Sequence, residues 1–468
     1  MHHRLLRAAL SGLLLVTACA AGRPSASPPS ADGSSGVGDP LFPLAGNGGY
    51  DVSHYGLDLE YDPATRLLRG TARITARATR GLPTFNLDLS GLDVGKVTVD
   101  GAAAGSSRAG TELTVRPARA VGSGAEFTTV VEYSGVPGTI KDADGSHEGW
   151  VRTDDGAVGL GEPVGSMAWF PGDNHPSDKA AYDIKVTVPE GLTAVSNGEL
   201  TDTRTTGGRS TFTWHSAEPM ASYLATVAIG KFQVTRSATA SGLPVYVAVD
   251  PREAGEDRSG VLRKIPQIVD WESGLFGPYP FSSTGAIVDR VDSGTVNYAL
   301  ETQTKPVFPG DRKGTTLDEP TLVHELAHQW FGDSVTPRTW QDMWLNEGFA
   351  TYTEWLWDEQ HGGESVQKHF DETYRDDAQW AFPPADPGKP ENVSDAPVYG
   401  RGAMVLHKVR QAVGDAPFFA VLRGWATGHR GGNVDSAEFT AWCEKQSGKD
   451  LSGLFAVWLY GDGRPKAP

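Results

Sequence analysis

The chain has 468 residues, 58 acidic side chains against 41 Lys and Arg, a formal net charge of −17, and 39% apolar residues. That length suits two or three folded regions with real cores, while the composition excludes collagen, a coiled coil, a multi-span membrane protein and, with only 2 Cys, a disulfide scaffold. An acidic chain without any basic run also argues against nucleic acid as a partner, because phosphates demand clustered Lys and Arg.

The N-terminus reads as an export signal. His2, His3, Arg4 and Arg7 precede an apolar run from Ala8 to Ala18. About eleven residues is the length of a signal-peptide core and falls short of the roughly 20 needed by a spanning helix. Val16-Thr17-Ala18-Cys19 resembles a bacterial lipobox. Residues 1–18 are therefore expected to be a lipoprotein signal peptide and Cys19 the lipid-attachment site, which would hold the protein outside the cytoplasm on the bacterial cell membrane. An ordinary signal peptide cut after Ala21, giving a secreted protein, is the alternative. Residues 19–45 read as a flexible tether, since 17 of the 21 residues from Ala20 to Pro40 are Ala, Gly, Pro or Ser and offer little surface to bury.

Residues 46–245 carry the period of strands. Leu57 to Tyr61, Val94 to Val99, Phe127 to Tyr133, Asp183 to Val188 and Val245 to Val249 alternate apolar and polar side chains between Gly, Pro, Asp and Asn, the pattern of an antiparallel sandwich or saddle. A long Gly- and Pro-rich loop over 160–180, holding Glu162, Trp169, Asp173 and His175, interrupts it; loops of that length commonly carry function. Residues 246–464 change to a period of 3.6. Leu262 to Leu275 fit one helix, others are predicted at 318–331, 344–360, 401–413 and 436–446, and Gly332, Gly362 and Gly414 stand where helices stop. A short β-rich patch from Ala286 to Thr304 lies between the first two helices, and Cys443, in an apolar-periodic stretch, is expected to be a buried structural thiol.

His324-Glu325-Leu326-Ala327-His328 is the strongest chemical signal. Pro320 suits the first turn of a helix, and positions i and i+4 share a face, so both imidazoles can reach one metal ion. Glu325, beside the first ligand, is placed to act as general base on water. Glu347, nineteen residues after His328, opens the next predicted helix. Two antiparallel helices joined by a turn would bring it beside the histidines. Two His and one Glu with a position left for water is the ligand set of a hydrolytic Zn2+ site, and Glu354, two turns further along the same face, is a candidate to orient a ligand histidine.

These residues, embedded in Trp344-Leu345-Asn346-Glu347-Gly348-Phe349-Ala350, resemble the aminopeptidase N family of gluzincin metallopeptidases, and the likeness extends over most of residues 50–464. It implies an α+β multidomain fold: an N-terminal antiparallel β-saddle followed by a thermolysin-like, mostly helical zinc-peptidase domain. Tyr298-Ala299-Leu300-Glu301-Thr302 resembles the family's amine-binding strand, which makes Glu301 an anchor for the substrate's α-amino group. Glu162-Pro163 ahead of Phe170-Pro171-Gly172-Asp173 resembles the N-terminal-domain motif and makes Glu162 a second anchor. Val398-Tyr399-Gly400-Arg401 resembles the segment whose Tyr stabilises the tetrahedral intermediate, the role implied for Tyr399. The departures are Tyr298, Leu300 and Thr302 in place of Gly, Met and Asn, Met167 and Ala168 in place of an Arg pair, and Arg401 in place of Lys, expected to keep a charge near a peptide carboxylate. Tyr298 is expected to reshape the approach to the site. The chain stops about 120 residues beyond Glu347, which predicts a cleft more open than in relatives carrying a large helical domain after the catalytic one.

The expectation is a zinc aminopeptidase, one Zn2+ per chain, acting on peptides with a free N-terminus. The alternatives are a catalytically silent lipid-anchored peptide-binding protein, which would have no reason to keep Glu325 and Tyr399, and a zinc endopeptidase, which would have no use for Glu301 and Glu162. Epoxide hydrolysis would require a lipid-shaped tunnel that no sequence feature announces.

Overall fold

The structure is a computed structural model that describes residues 33–291, 296–310 and 317–466. The signal peptide, Cys19 and the tether as far as residue 32 lie outside the described residues. Among the described residues no helix is long and apolar enough to cross a membrane.

Period-two patterning builds the first half. In the strand Tyr50–Asp62, Leu57, Leu59 and Tyr61 are buried while Asp51, Ser53 and Asp58 face out. Val52 and Tyr55 are three apart and both buried, which strict alternation forbids; a bulge between Val52 and His54 supplies the extra residue. This strand lies in an eight-stranded sheet. It pairs antiparallel with Leu67–Ala78 on one side and parallel with Lys179–Pro189 on the other, so that Leu57 faces Ile184 and Leu59 faces Val186. The predicted all-antiparallel saddle is therefore a mixed sheet. Alternation reports which face a side chain takes, whereas a partner more than a hundred residues away is chosen by tertiary packing. A five-stranded antiparallel sheet carries Thr139–Lys141, His147–Arg152 and Ala157–Leu160 and delivers the 160–180 loop to the site.

A four-stranded sheet, Gln233–Ala238, Pro244–Val249, Thr284–Arg290 and Val307–Gly310, comes next. The boundary expected between 245 and 246 cuts through its second strand, which pairs with Gln233–Ala238 on one side and Thr284–Arg290 on the other. A strand signal does not reveal to which sheet the strand belongs. Helices Ile265–Phe276, Glu319–Ala327, Trp344–Gln360, Gly402–Val413 and Ser436–Ser447 match the predicted ones closely. Val366–Arg375, Asp415–Gly428 and Ser452–Trp458 are helices that the sequence reading passed over. Cys443 is fully buried in the core, where desolvation pushes its thiol pKa up.

The tether is a further correction, because its described part, residues 33–45, is folded against the body. Asp39 is 2% exposed: its Oδ1 accepts from the backbone N–H groups of Leu41 and Phe42 at 2.8 Å each, and its Oδ2 faces Trp340 N at 2.9 Å and His175 Nε2 at 3.1 Å. One carboxylate thus ties this segment to both the 160–180 loop and the helical half. Removing the carboxylate would leave the buried N–H groups of Leu41 and Trp340 without an acceptor, at about 1–3 kcal/mol for each group left unsatisfied. A composition rich in Gly, Pro and Ser hides an anchor of this kind.

Candidate active site

The helix Glu319–Ala327 begins cleanly. Asp318 accepts from Thr321 N at 2.8 Å, Pro320 occupies the first turn, and Glu319 is held by Lys264 and by Trp357 Nε1. His324 lies in its last turn and His328 just past its end, with ring centroids 4.6 Å apart. The next helix, Trp344–Gln360, can approach because the chain turns at Gly332. Its φ is +123°, and a Cβ there would lie 2.0 Å from Asn346 Oδ1. Glu347 consequently reaches the histidines. Its Oε2 lies 3.0 Å from His324 Nε2 and 3.4 Å from His328 Nε2.

Both imidazoles have their tautomers assigned by acceptors behind them. His328 Nδ1–H donates to the carbonyl of Phe331 at 3.1 Å and His324 Nδ1–H to Glu354 Oε1 at 2.5 Å, which leaves both Nε2 lone pairs directed at Glu347. Tetrahedral zinc with bonds of ~2.0–2.1 Å would hold its donors roughly 3.3 Å apart. The observed spacings, the burial of all three residues and a donor set of two nitrogens and one carboxylate oxygen fit zinc. Without a metal the two imidazoles would carry protons on Nε2 and, against the desolvation of burial, hold the Glu347 carboxyl down to about 2; a divalent cation in place of those protons favours the same ionised state, the one a ligand requires.

Glu325 is 5% exposed and its Oε2 has no hydrogen-bond partner among the described residues. Burial, with Glu301 and Glu347 adding to it against the pull of the two histidines, pushes its pKa up to about 8; a divalent cation on His324, His328 and Glu347 would favour its carboxylate form. Glu301 meets the same space from the segment after the four-stranded sheet's third strand. Its Oε1 accepts from Asn346 Nδ2 at 2.9 Å, and Gln329 Nε2 holds its backbone carbonyl at 3.3 Å. Glu162 arrives from the 160–180 loop. Burial and then the charges of Glu301, Glu347 and Glu325 drive its pKa well above the usual carboxylate range. Glu162, Glu301 and Glu347 offer oxygens within 4.8 Å of one another, so the pocket crowds acids whose ionisation an incoming ammonium group would favour.

Tyr399 sits in a π-helical turn, Pro397–Arg401, at the head of Gly402–Val413. That helix comes close because Gly348 and Gly402 face each other; a Cβ on Gly348 would lie 2.8 Å from the Gly402 carbonyl carbon. The Tyr399 ring stacks near-parallel to His324 at 6.1 Å. Burial and the surrounding carboxylates raise its pKa well above 10, so it stays a hydroxyl donor. All seven residues expected from the sequence, His324, Glu325, His328, Glu347, Glu301, Glu162 and Tyr399, line one cavity of about 430 Å³.

Arg401 is a correction. Rather than meeting a peptide carboxylate, it is fully buried, donates to the carbonyls of Trp458 at 2.9 Å, Phe382 at 3.2 Å, Val457 at 3.3 Å and Gly461, and packs 4.9 Å from the Trp380 ring. It staples the C-terminal helix to the Tyr399 turn. Thr302 turns inward, donating to Lys305 O at 2.6 Å, and Leu300 pairs through its backbone with Val307. Tyr298 is among the residues that line the cavity, and its hydroxyl donates to His147 O at 3.0 Å. Asn346 and Gln329, which hold Glu301, were passed over in the sequence. Their contacts connect distant segments, and only their places beside zinc ligands could have drawn notice.

Residues 51–224 match the profile of the peptidase M1 N-terminal domain and residues 311–458 that of the peptidase family M1 domain. Similar curated proteins include probable aminopeptidase 2 of Sulfurisphaera tokodaii, 26% identical over 65% of this chain and 41% of the relative. Aminopeptidase M1 of Arabidopsis thaliana is 26% identical over 66% of this chain and 37% of the relative. The chain thus spans about two fifths of the length of the curated relatives it matches. Among solved structures, an M1 zinc metallopeptidase from Deinococcus radiodurans is 29% identical with a TM-score of 0.82, over 92% of this chain and 98% of that one. A mutant of that enzyme bound to a Tyr-Ser-Ala substrate also scores 0.82, over 92% and 99%.

Proposed function

The chain belongs to the M1 peptidase family, and on that premise we propose that it is a zinc-dependent aminopeptidase that removes the first residue from peptides. The observation that carries this reading is the pairing of a hydrolytic ligand set with two further carboxylates, Glu301 and Glu162, in one cavity. A peptidase that counts from the N-terminus must recognise an ammonium group, and buried carboxylates do so through charge-assisted hydrogen bonds.

Zinc bound by His324, His328 and Glu347 supplies Lewis-acid polarisation of the scissile carbonyl and makes water more acidic. Glu325 takes a proton from the attacking water and delivers it to the departing amine nitrogen as the C–N bond breaks, so that the water's hydroxyl ends in the new carboxyl group and its proton on the new amine. Tyr399 donates its hydroxyl to the oxygen on which negative charge develops. Glu301 and Glu162 fix the α-amino group and so set which peptide bond reaches Glu325.

Purified, zinc-loaded protein is expected to hydrolyse aminoacyl fluorogenic amides and to discriminate against their N-acetylated counterparts by ~10²-fold or more, since a neutral amide leaves both carboxylates unpaired. Equal rates on both would point to an endopeptidase, and no turnover of either with zinc bound would favour the silent peptide-binding reading.

The proposed setting is outside the cytoplasm, on a lipid anchor at Cys19; support comes from the basic, apolar and lipobox-like order of residues 2–19. Fractionation of producing cells is expected to find the protein in the membrane and the Cys19→Ser variant outside it. An unmodified, soluble wild-type protein would sink the anchor.

A further inference from the structure

Glu301 stands at the foot of a tight hairpin. Leu300 N donates to Val307 O at 3.0 Å, Val307 N returns to Leu300 O at 2.8 Å, and Lys305 N closes the turn onto Thr302 O at 3.0 Å. The third residue of that turn, Thr304, has a φ of +69°. A turn with positive φ at its third residue calls for Gly or Asn, and a β-branched side chain in the left-handed region is strained. Strain of this kind persists only where the surroundings hold it.

The grip comes from the N-terminal half. The strand Thr193–Ser196 runs into Asn197 and Gly198, which meet the hairpin tip residue by residue. Gly198 N donates to Thr304 Oγ1 at 2.8 Å, Asn197 Nδ2 to Gln303 O at 2.8 Å, and Lys305 Nζ to Gly198 O. Thr302, Gln303, Thr304 and Lys305 are all fully buried. From the other side Gln329, which holds the Glu301 carbonyl, accepts from Thr304 N at 2.7 Å. The sheet that receives the tip is also the one that delivers Glu162. In it Thr193–Ser196 and Ala157–Leu160 flank Val227–Gly230. Asn197 Oδ1 accepts from Thr226 N at 2.8 Å, and Thr226 Oγ1 donates to Gly159 O at 2.8 Å, in the stretch that runs on to Glu162. One amine anchor is thus joined to the other through Thr304, Gly198, Asn197, Thr226 and Gly159, and neither the metal ligands nor Tyr399 take part.

We propose that Thr304 is a positioning residue for the two amine anchors: its hydroxyl locks the Glu301 hairpin to the sheet that carries Glu162 and so sets the spacing that recognises a free N-terminus. The proposal rests on the aminopeptidase reading. An ammonium group shared by two carboxylates needs their separation held to ~0.5 Å, and here the two come from different halves of the chain. Glycine would suit the backbone at position 304 but offers no atom to the Gly198 N–H. Thr304 keeps an unfavourable φ together with that hydrogen bond, which is the combination expected where geometry, rather than local stability, is what the residue supplies.

The test compares an alanyl fluorogenic amide with its N-acetylated counterpart in zinc-loaded wild type, Thr304→Gly and Thr304→Ser. Gly relaxes the turn, so that variant is expected to fold, and Ser keeps the hydroxyl. In Thr304→Gly, KM for the free amide is expected to rise about tenfold with kcat within about twofold of wild type. The preference for free over acetylated substrate is expected to fall by the same factor, because the acetylated amide makes no use of the spacing between the anchors. Thr304→Ser is expected to stay within about twofold of wild type in both quantities. The preference is a ratio measured within one preparation, so loss of folded protein does not move it. A Thr304→Gly variant with wild-type KM and preference, one that loses kcat alone, or a Thr304→Ser variant as impaired as Thr304→Gly overturns the proposal and leaves Thr304 a turn residue. If wild type itself cleaves no free aminoacyl amide, or cleaves the acetylated one equally well, the aminopeptidase reading falls and takes the proposal with it.

Discussion

Replacing Glu325 with Gln is expected to lower kcat on any aminoacyl amide by ~10²–10⁴-fold while zinc content stays at one per chain. The reason is a division of labour visible in the site. His324, His328 and Glu347 point donor atoms at one another, whereas the outer oxygen of Glu325 is buried and bonded to nothing among the described residues. Gln keeps the shape and fills the same space but cannot accept a proton. Substrate anchoring through Glu301 and Glu162 does not involve that oxygen, so KM is expected to change little, the signature of a group that acts in the transition state. Steady-state kinetics with elemental analysis of the same preparation read both quantities. A variant within about tenfold of wild type would move the proton acceptor elsewhere, and loss of zinc together with rate would recast Glu325 as a ligand.

The chemistry closest to the metal was legible in the sequence because it is local. His324 and His328 are one helical turn apart, and Glu347 opens a helix whose register could be judged from its apolar face. Glu301 and Glu162 were reachable only through resemblance. They come from a segment 23 residues before His324 and from a loop in a different sheet, and no local pattern says that these converge. The same limit explains Asn346 and Gln329, whose side chains hold Glu301 across chain separations that periodicity cannot sense. In the fold, alternation located strands and their buried faces but not the parallel partner of Tyr50–Asp62, nor the sheet to which Pro244–Val249 belongs. Arg401 and Asp39 mark a third kind of failure. Both are charged groups whose burial is made possible by carbonyls or amides collected from distant segments.

Removing a ligand and removing its support are expected to have separable effects, and the contrast tests the metal centre as a whole. Glu347→Ala deletes one of three converging donors, and the variant is expected to be isolated without zinc and without measurable peptidase activity. Two histidines remain, but neither the charge balance nor the geometry of a hydrolytic site survives. Glu354→Gln acts one step back. Glu354 accepts the Nδ1 proton of His324 at 2.5 Å and thereby holds the ring with Nε2 facing Glu347. A glutamine oxygen can still accept that proton, though without the charge that makes the imidazole a stronger donor to metal. Zinc affinity is therefore expected to fall by ~10–100-fold, with activity restored by raising free zinc. Competition against a chelator of known affinity measures the first effect and a zinc titration of activity the second. If Glu354→Gln binds zinc as tightly as wild type, its contact with His324 is packing and no more. If added zinc rescues Glu347→Ala fully, Glu347 is not a ligand, and the site assembled from these two helices must be drawn again.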